Sequence, residues 1–404
     1  MQYLKLLASN FAVNGALRHV GGNSACPHGA VECAHLEWGT MYAPPPGNQP
    51  GPLSRPAPWR ARPTSRRART RHDGGGFREH LRLGRKGLAI GIDIGGTKVA
   101  AGVVDADGRI LSEARRATPG SDPRAVEQVI VELVEELGRG HRIWSVGIGA
   151  AGWMDLDGGT VLFSPHLAWR NEPLRANLQQ LLRRPVLLTN DADAAAWAEW
   201  RFGAGQGEDR LVCITLGTGI GGAMVMDGRV ERGRFGVAGE FGHQIIMPGG
   251  HRCECGNRGC WEQYASGNAL GREARILAQA NSPVAQDLLA AVGGRTELIT
   301  GAIVTELALA GDPACRELIE EVGEWLGLGL ANLAAALDPG LFVIGGGLCS
   351  AGDLLVEPAR KAFARNLTGR GFRPAAGIQL AALGPNAGLI GAADLSRVSS
   401  RARR

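Results

Sequence analysis

Gly91-Ile92-Asp93-Ile94-Gly95-Gly96-Thr97-Lys98-Val99-Ala100 is the stretch on which the fold of this chain turns. An apolar run from Gly87 to Ile92 delivers one aspartate, then two glycines and a threonine, and an apolar run resumes from Val99 to Val104. The pattern predicts a β-hairpin whose turn carries almost no side chains. Without Cβ atoms, the backbone N–H groups of Gly95, Gly96 and Thr97 can approach an anion closely. Asp93, at the strand end, is placed to hold a hydrated divalent cation beside that anion. Plain hairpin turns share this composition, so the reading depends on what the rest of the chain adds.

The device recurs. Leu216-Gly217-Thr218-Gly219-Ile220-Gly221-Gly222 repeats a strand, a glycine turn with a threonine, and a strand, roughly 120 residues on. Two copies point to a duplicated α/β domain facing itself across a cleft. A third turn, Gly345-Gly346-Gly347, follows the apolar run Leu341–Ile344 and would let a flat ring lie against backbone. Together they fit two phosphate grips and a nucleoside pocket; none has the Walker spacing. Between them the pattern predicts a third strand near Arg109–Arg116 and a helix begun by Asp122-Pro123, with Ala125, Val129, Leu133 and Val134 inward. Strand 144–149 then runs into Ala150-Ala151-Gly152, strand 186–189 into Asn190-Asp191, and helix 194–202 follows. Helices 312–337, 353–366 and 386–397 and a strand over 377–382 complete the pattern.

Charge is unevenly spread. The net +5 of the 404 residues arises because residues 1–86 carry +9 and the remaining 318 carry −4. The basic excess therefore belongs to a segment rich in Pro and Arg, which lacks helical or strand periodicity and is predicted to be disordered. Translation from too early a start codon would add such a segment, and no secretory leader is expected. The body gives no sign of nucleic-acid binding. No apolar run reaches the roughly 18 residues of a membrane span. Of eight cysteines, five are scattered and three fall at Cys253, Cys255 and Cys260. That usage predicts a reducing, cytoplasmic setting and a metal site, not a disulfide framework.

Three thiolates at C-x-C-x4-C need one further ligand for a tetrahedral zinc. His243, in Gly239-Glu240-Phe241-Gly242-His243, is the natural candidate, with His251 as runner-up. A Cys3His site leaves no coordination position for water, so the zinc would be structural. Asp191 is the candidate general base: a carboxylate at an apolar strand end, followed by small residues, can take a proton from an attacking hydroxyl. Asp193 competes for the role on chemistry alone. Glu240, His243 and Glu262 flank the knuckle as acceptors suited to sugar hydroxyls.

These pieces together resemble the ROK family of sugar kinases and repressors, within it the actinobacterial-type glucokinases. The residues that carry the likeness are Asp93-Ile-Gly-Gly-Thr-Lys98, Gly147-Ile-Gly-Ala-Ala-Gly152, Thr189-Asn-Asp-Ala192, Leu216-Gly-Thr-Gly-Ile-Gly-Gly222, Gly239-Glu-Phe-Gly-His243, Cys253-x-Cys-Gly-x-x-Gly-Cys-Trp-Glu262, Ala265-Ser-Gly267 and Asp338-Pro339…Gly345-Gly-Gly347. The likeness spans about residues 88–396. It implies a two-lobed, actin-like (ribonuclease H-like) α/β fold: a small lobe over 87–204 joined by the terminal helix, and a large lobe over 205–385 with the zinc knuckle. It implies ATP and Mg2+, held by Asp93, Gly95, Gly96, Thr97, Lys98, Gly217, Thr218, Gly219, Gly345, Gly346 and Gly347. It implies glucose as acceptor, with Asp191 as base and Asn190, Gly152, Glu240, His243 and Glu262 around the sugar. His243 would give one ring nitrogen to zinc and the other to sugar. A homo-oligomer, dimer or tetramer, is the family pattern.

Two features depart from it. Asp193 stands where relatives often carry asparagine, and His166 and Ala168 occupy a loop where relatives tend to have asparagine. The exact hexose, and ATP against polyphosphate as donor, are therefore left open by the sequence, as are kinases for other amino sugars. A ROK transcriptional repressor is the rival reading, but residues 1–86 lack the three amphipathic helices of a DNA-binding head.

Overall fold

The computed structural model describes residues 87–164 and 167–399. The segment predicted to be disordered, 1–86, and the variant loop position His166 lie outside the described residues. Strands β1 (Leu88–Ile94), β2 (Lys98–Val104) and β3 (Ile110–Ala117) form a meander, followed by helix α1 (Pro123–Gly138) and β4 (Ile143–Ala150). Short strands β5 (Trp153–Met154), β6 (Val161–Phe163) and β7 (Arg170–Glu172) make a sheet of their own, before α2 (Leu174–Leu182), β8 (Val186–Asn190) and α3 (Asp191–Phe202). The second half begins with β9 (Arg210–Leu216), β10 (Ile220–Met226) and β11 (Arg229–Val230). Helices α4 (Glu262–Ala265), α5 (Gly267–Gln279), α6 (Gln286–Ala291), α7 (Gly301–Ala310) and α8 (Pro313–Leu337) follow. The described residues end on β12 (Leu341–Gly345), α9 (Asp353–Asn366), β13 (Gly377–Leu380) and α10 (Ala387–Ser399).

The duplication read from the glycine turns is present as topology. One sheet has the order β3-β2-β1-β4-β8 and the other β11-β10-β9-β12-β13. In each, the first three strands are antiparallel and the last three parallel. The central strands β1, β4, β9 and β12 are covered on both faces, which is why they read as continuous apolar runs. The edge strand β3 is largely exposed and carries Glu113, Arg115 and Arg116, charges that discourage pairing with another chain.

Helix α1 starts as expected, with the Asp122 carboxylate accepting from the Arg124 N–H at 2.9 Å and Pro123 in the first turn. Its buried stripe is Val126, Ile130, Leu133, Val134 and Leu137. The expected inward positions Ala125 and Val129 are only half-buried, because the stripe follows the spacing of four from Val126. Helix α10 packs on both β1 and β4 and on α3. Glycines permit this: a Cβ at Gly91 would lie 1.9 Å from the Leu389 carbonyl oxygen, and one at Gly391 only 1.7 Å from that of Ala194. The last helix thus returns to the first sheet and packs on α3, which also touches β9 and β10 of the second.

Candidate functional site

Parallel pairing fixes where the functional side chains emerge. Ile94, Ala150 and Asn190 share one line of register, so Asp93, Gly152 and Asp191 leave the first sheet at the same edge. Gly345 pairs with Thr215, which puts the Gly217 and Gly346 turns together at the matching edge of the second sheet. The carboxyl ends of parallel strands are where open α/β sheets bind ligands.

The turns correct one detail of the sequence reading. The Gly95 N–H donates to the Lys98 carbonyl at 3.0 Å and that of Gly217 to Gly219 at 3.0 Å, so these two amides close their own turns. The N–H groups at the tips, on Gly96, Thr97, Thr218 and Gly219, have no protein acceptor among the described residues and are the ones an anion can take. A Cβ at Gly217 or Gly347 would meet nothing within 4 Å, whereas one at Gly346 would lie 2.3 Å from the Leu216 carbonyl oxygen. Gly346, at φ +94°, holds the third turn against β9, and Gly347 borders open space.

Asn190 and Asp191 form the junction of β8 and α3. The Asn190 side-chain oxygen accepts from the Ala192 and Asp193 amides at 2.8 and 3.2 Å, and its amide group donates to the Gly152 carbonyl at 3.1 Å. One Asn190 N–H is left for a ligand. Asp191 opens the helix, where the dipole favours a carboxylate. Asp93 is pushed up to about 7, chiefly by burial and then by the Asp191 charge, with Lys98 pulling the other way. Asp193 is raised to about 6 by burial against the Arg232 guanidinium, which it meets at 2.9 Å. Arg232 also donates to Thr189 Oγ1. Asp193 is thereby committed to Arg232, and Asp191 is the carboxylate beside Asp93 and Glu240.

Glu240 is 39% exposed yet stands near the carboxylates of Asp191 and Glu262. Burial raises its pKa, while His243 and a hydrogen bond from Trp153 oppose the rise. A small hollow of about 20 Å³, room for roughly one water, is bounded by Gly152, Trp153, Asn190, Asp193, Arg232 and Glu240. Arg232 and Trp153 were missed in the sequence; Asp193 in place of asparagine was the signal for a partner cation. Ala168 sits at an exposed turn, its N–H on the Gly120 carbonyl at 2.9 Å.

The Cys cluster forms a knuckle. One ligand atom from each of His243, Cys253, Cys255 and Cys260 lies within 4.8 Å of all the others. Zinc with bonds of about 2.3 Å to tetrahedral thiolates puts sulfurs close to 3.8 Å apart, and Cys255 and Cys260 stand at 3.6 Å. His251 instead lies against the Tyr264 ring, with centroids 5.3 Å apart. The His243 ring turns Nδ1 toward Cys253 Sγ at 3.5 Å and Nε2 toward Glu240 at 3.8 Å. Glu262 Oε1 is 3.0 Å from Cys253 Sγ and 3.4 Å from His243 Nδ1, and burial together with that carboxylate pushes the Cys253 thiol up. A donor set so crowded with acid fits a divalent cation that would take the thiols as thiolates. Trp261, fully buried, anchors the knuckle to α8 through its N–H on the Trp325 carbonyl at 2.9 Å. Gly329 makes room for the ring, since a Cβ there would lie 2.1 Å from it.

Two sheets of one topology, each with glycine turns at its strand ends and carboxylates at the strand ends of the first, define the actin-like class of mixed α/β proteins. Within that class the chain belongs to the ROK family, whose family model matches residues 89–398. A glucokinase of Streptomyces coelicolor is 48% identical over 311 residues, covering 77% of this chain and 98% of that protein. The structure of a ROK family glucokinase from Streptomyces griseus in complex with glucose and AMPPNP superposes with a TM-score of 0.72 at 50% identity, covering 77% of this chain and 99% of that one. A xylose repressor of Caldicellulosiruptor bescii is 32% identical and covers 68% of this chain and 69% of its own length.

Proposed function

We propose that the protein is a glucokinase: it transfers the γ-phosphoryl group of ATP to the 6-hydroxyl of glucose. The observation that carries this is Asp191 at the helix start, beside Asp93 and Glu240. Asp191 takes the hydroxyl proton as the oxygen forms its bond to phosphorus, the bond to the β-phosphate oxygen breaks, and ADP leaves. Such transfer needs positioning and charge neutralisation more than covalent chemistry, which suits bare turns and acids without a nucleophile. The likeness to the glucose- and AMPPNP-bound relative supports both substrates. In this reading Asp93 and the tips at Gly96–Thr97 and Thr218–Gly219 face a magnesium triphosphate, and the Gly345–Gly347 turn faces the nucleoside. Magnesium would supply neutralisation of the phosphate charge. Zinc held by His243, Cys253, Cys255 and Cys260 would fix the ring of His243 toward the sugar.

The same reading places a small lobe over 87–204 with the terminal helix, and a large lobe over 205–385; separate apolar cores under the two sheets support it. A cytoplasmic enzyme and a homo-oligomer complete it. Among the described residues no helix is long and apolar enough to cross a membrane.

A coupled assay of glucose, mannose, fructose and N-acetylmannosamine, each with ATP and with polyphosphate, tests the proposal. Glucose with ATP is expected to show the highest kcat/KM. A higher value for another sugar or donor, or no transfer at all, overturns it.

A further inference from the structure

Glu199 lies in the last turn of α3, at the opposite end of that helix from Asp191, and is 1% exposed. A carboxylate at a helix C-terminus is opposed by the helix dipole, so helix stability does not explain it. Its oxygens instead gather backbone N–H groups from two distant stretches. Oε2 accepts from Ala204 at 2.9 Å and from Ala382 at 3.0 Å, and Oε1 accepts from Leu383 at 2.8 Å. Residues 203–209 carry the chain from the first sheet to the second, and residues 381–386 carry it back. These two stretches link the consecutive sheet-forming halves in chain order, and one side chain holds both. Gly203 is shaped to it: a Cβ there would lie 2.0 Å from Glu199 Oε2.

We propose that Glu199 is a positioning residue, a clip that ties the two chain crossings together so that the halves approach one another about a single pivot. Closure about one pivot sets the angle at which Asp191, on the same helix, meets the sugar, and excludes water from the phosphoryl group. The kinetic side of this inference rests on the proposed glucokinase reading; the structural side does not.

Hydrogen exchange and kinetics test it together. In the unaltered protein, the amides of Ala204, Ala382 and Leu383 are expected to open in one shared step as denaturant is added. Separate opening of the two stretches overturns the clip, with no variant needed. In Glu199→Gln one acceptor is replaced by a donor, so exchange in both stretches should quicken by about tenfold, the weight of one hydrogen bond to a charged group. Gly203→Ala should loosen the same pair by crowding the carboxylate. In either variant kcat should fall about tenfold, and glucose-independent ATP hydrolysis should rise relative to transfer, a readout that mere loss of stability would leave unmoved. Paired loosening with unchanged kcat and coupling, or loosening of one stretch alone, overturns the proposal. Failure of the unaltered protein to phosphorylate glucose would sink the functional reading, and the exchange data would still decide the clip.

Discussion

At the end of β1, the turn over Gly95–Lys98 is held from one side. Thr118 donates its hydroxyl to the Gly95 carbonyl at 2.8 Å and its N–H to the Thr97 carbonyl at 3.1 Å, and the tip stays exposed. At the end of β9, the turn over Gly217–Gly219 is held by the start of α5. The Gly267 and Asn268 amides donate to the Gly217 and Thr218 carbonyls at 2.8 and 3.3 Å, and Glu262 Oε2 approaches the Ile220 N–H at 3.5 Å. Both turns close the same hairpin in the same sheet position. The first is flanked by charge, the buried Asp93 in β1 and the exposed Lys98. The second has little charge and is bolted to the segment that contains the Cys knuckle. Metal site and second turn therefore form one mechanical unit, while the first turn is tuned by electrostatics.

The largest expected effect falls on the carboxylate beside Asp93. Asp191→Asn should lower kcat by at least about a hundredfold, the scale of lost general-base help, with glucose affinity by calorimetry little changed. Asp193→Asn should cost far less turnover, because Asp193 is engaged by Arg232. Equal losses in the two variants would break the assignment of the base.

Next comes the knuckle. Cys255→Ser should release zinc, measured by atomic absorption, and raise the glucose KM by about ten- to a hundredfold. Exchange should quicken at the second turn and stay unchanged at the first. Loosening of both turns alike would show that the second turn is no more tied to the metal site than the first.

How far these two units could be read in advance differs for a physical reason. The hairpins, their glycine tips, the duplication and the Cys3His set follow from local spacing: alternation of apolar runs, absent Cβ atoms, thiols within eight residues. The parts that escaped are long-range. Arg232 and Asp193 are 39 positions apart, and Glu199 meets Leu383 across 184; nothing in either neighbourhood names its partner. The α1 stripe was misplaced by one position at Ala125 and Val129 because alanine and valine fit the flank of a helix as well as its inner face. The amides of Gly95 and Gly217 looked available in sequence because hairpin closure is a property of the turn's geometry.

The electrostatics of the first turn give a smaller, pH-dependent effect. The folded pKa of Asp93, about 7, stands above the ordinary 3.8. Between roughly pH 4 and 7 the folded protein keeps a proton that the unfolded chain has released, so this residue's contribution to stability falls as pH rises through that window and levels off above it. Asp93→Asn removes the cost. In protein free of nucleotide and magnesium, the variant should be more stable at pH 8 by on the order of 2 kcal/mol and equal to the parent near pH 4, by urea denaturation. Turnover should nevertheless fall.

Lys98→Ala should give the smallest change. Lys98 is exposed at the edge of the first turn, and its charge pulls the Asp93 pKa down against burial and Asp191. Without it the Asp93 titration, followed by the carboxyl carbon resonance, should move up by less than about one unit, since exposed charges are screened by water and salt. The shift should shrink further at about 1 M salt, where the Debye length drops to roughly 3 Å. The second turn offers the control: Thr218→Ala removes no charge and should leave the Asp93 titration where it is. A downward shift in Lys98→Ala, or an equal shift in Thr218→Ala, would show that Asp93 is governed by the shape of the cleft and not by the charge its own turn carries.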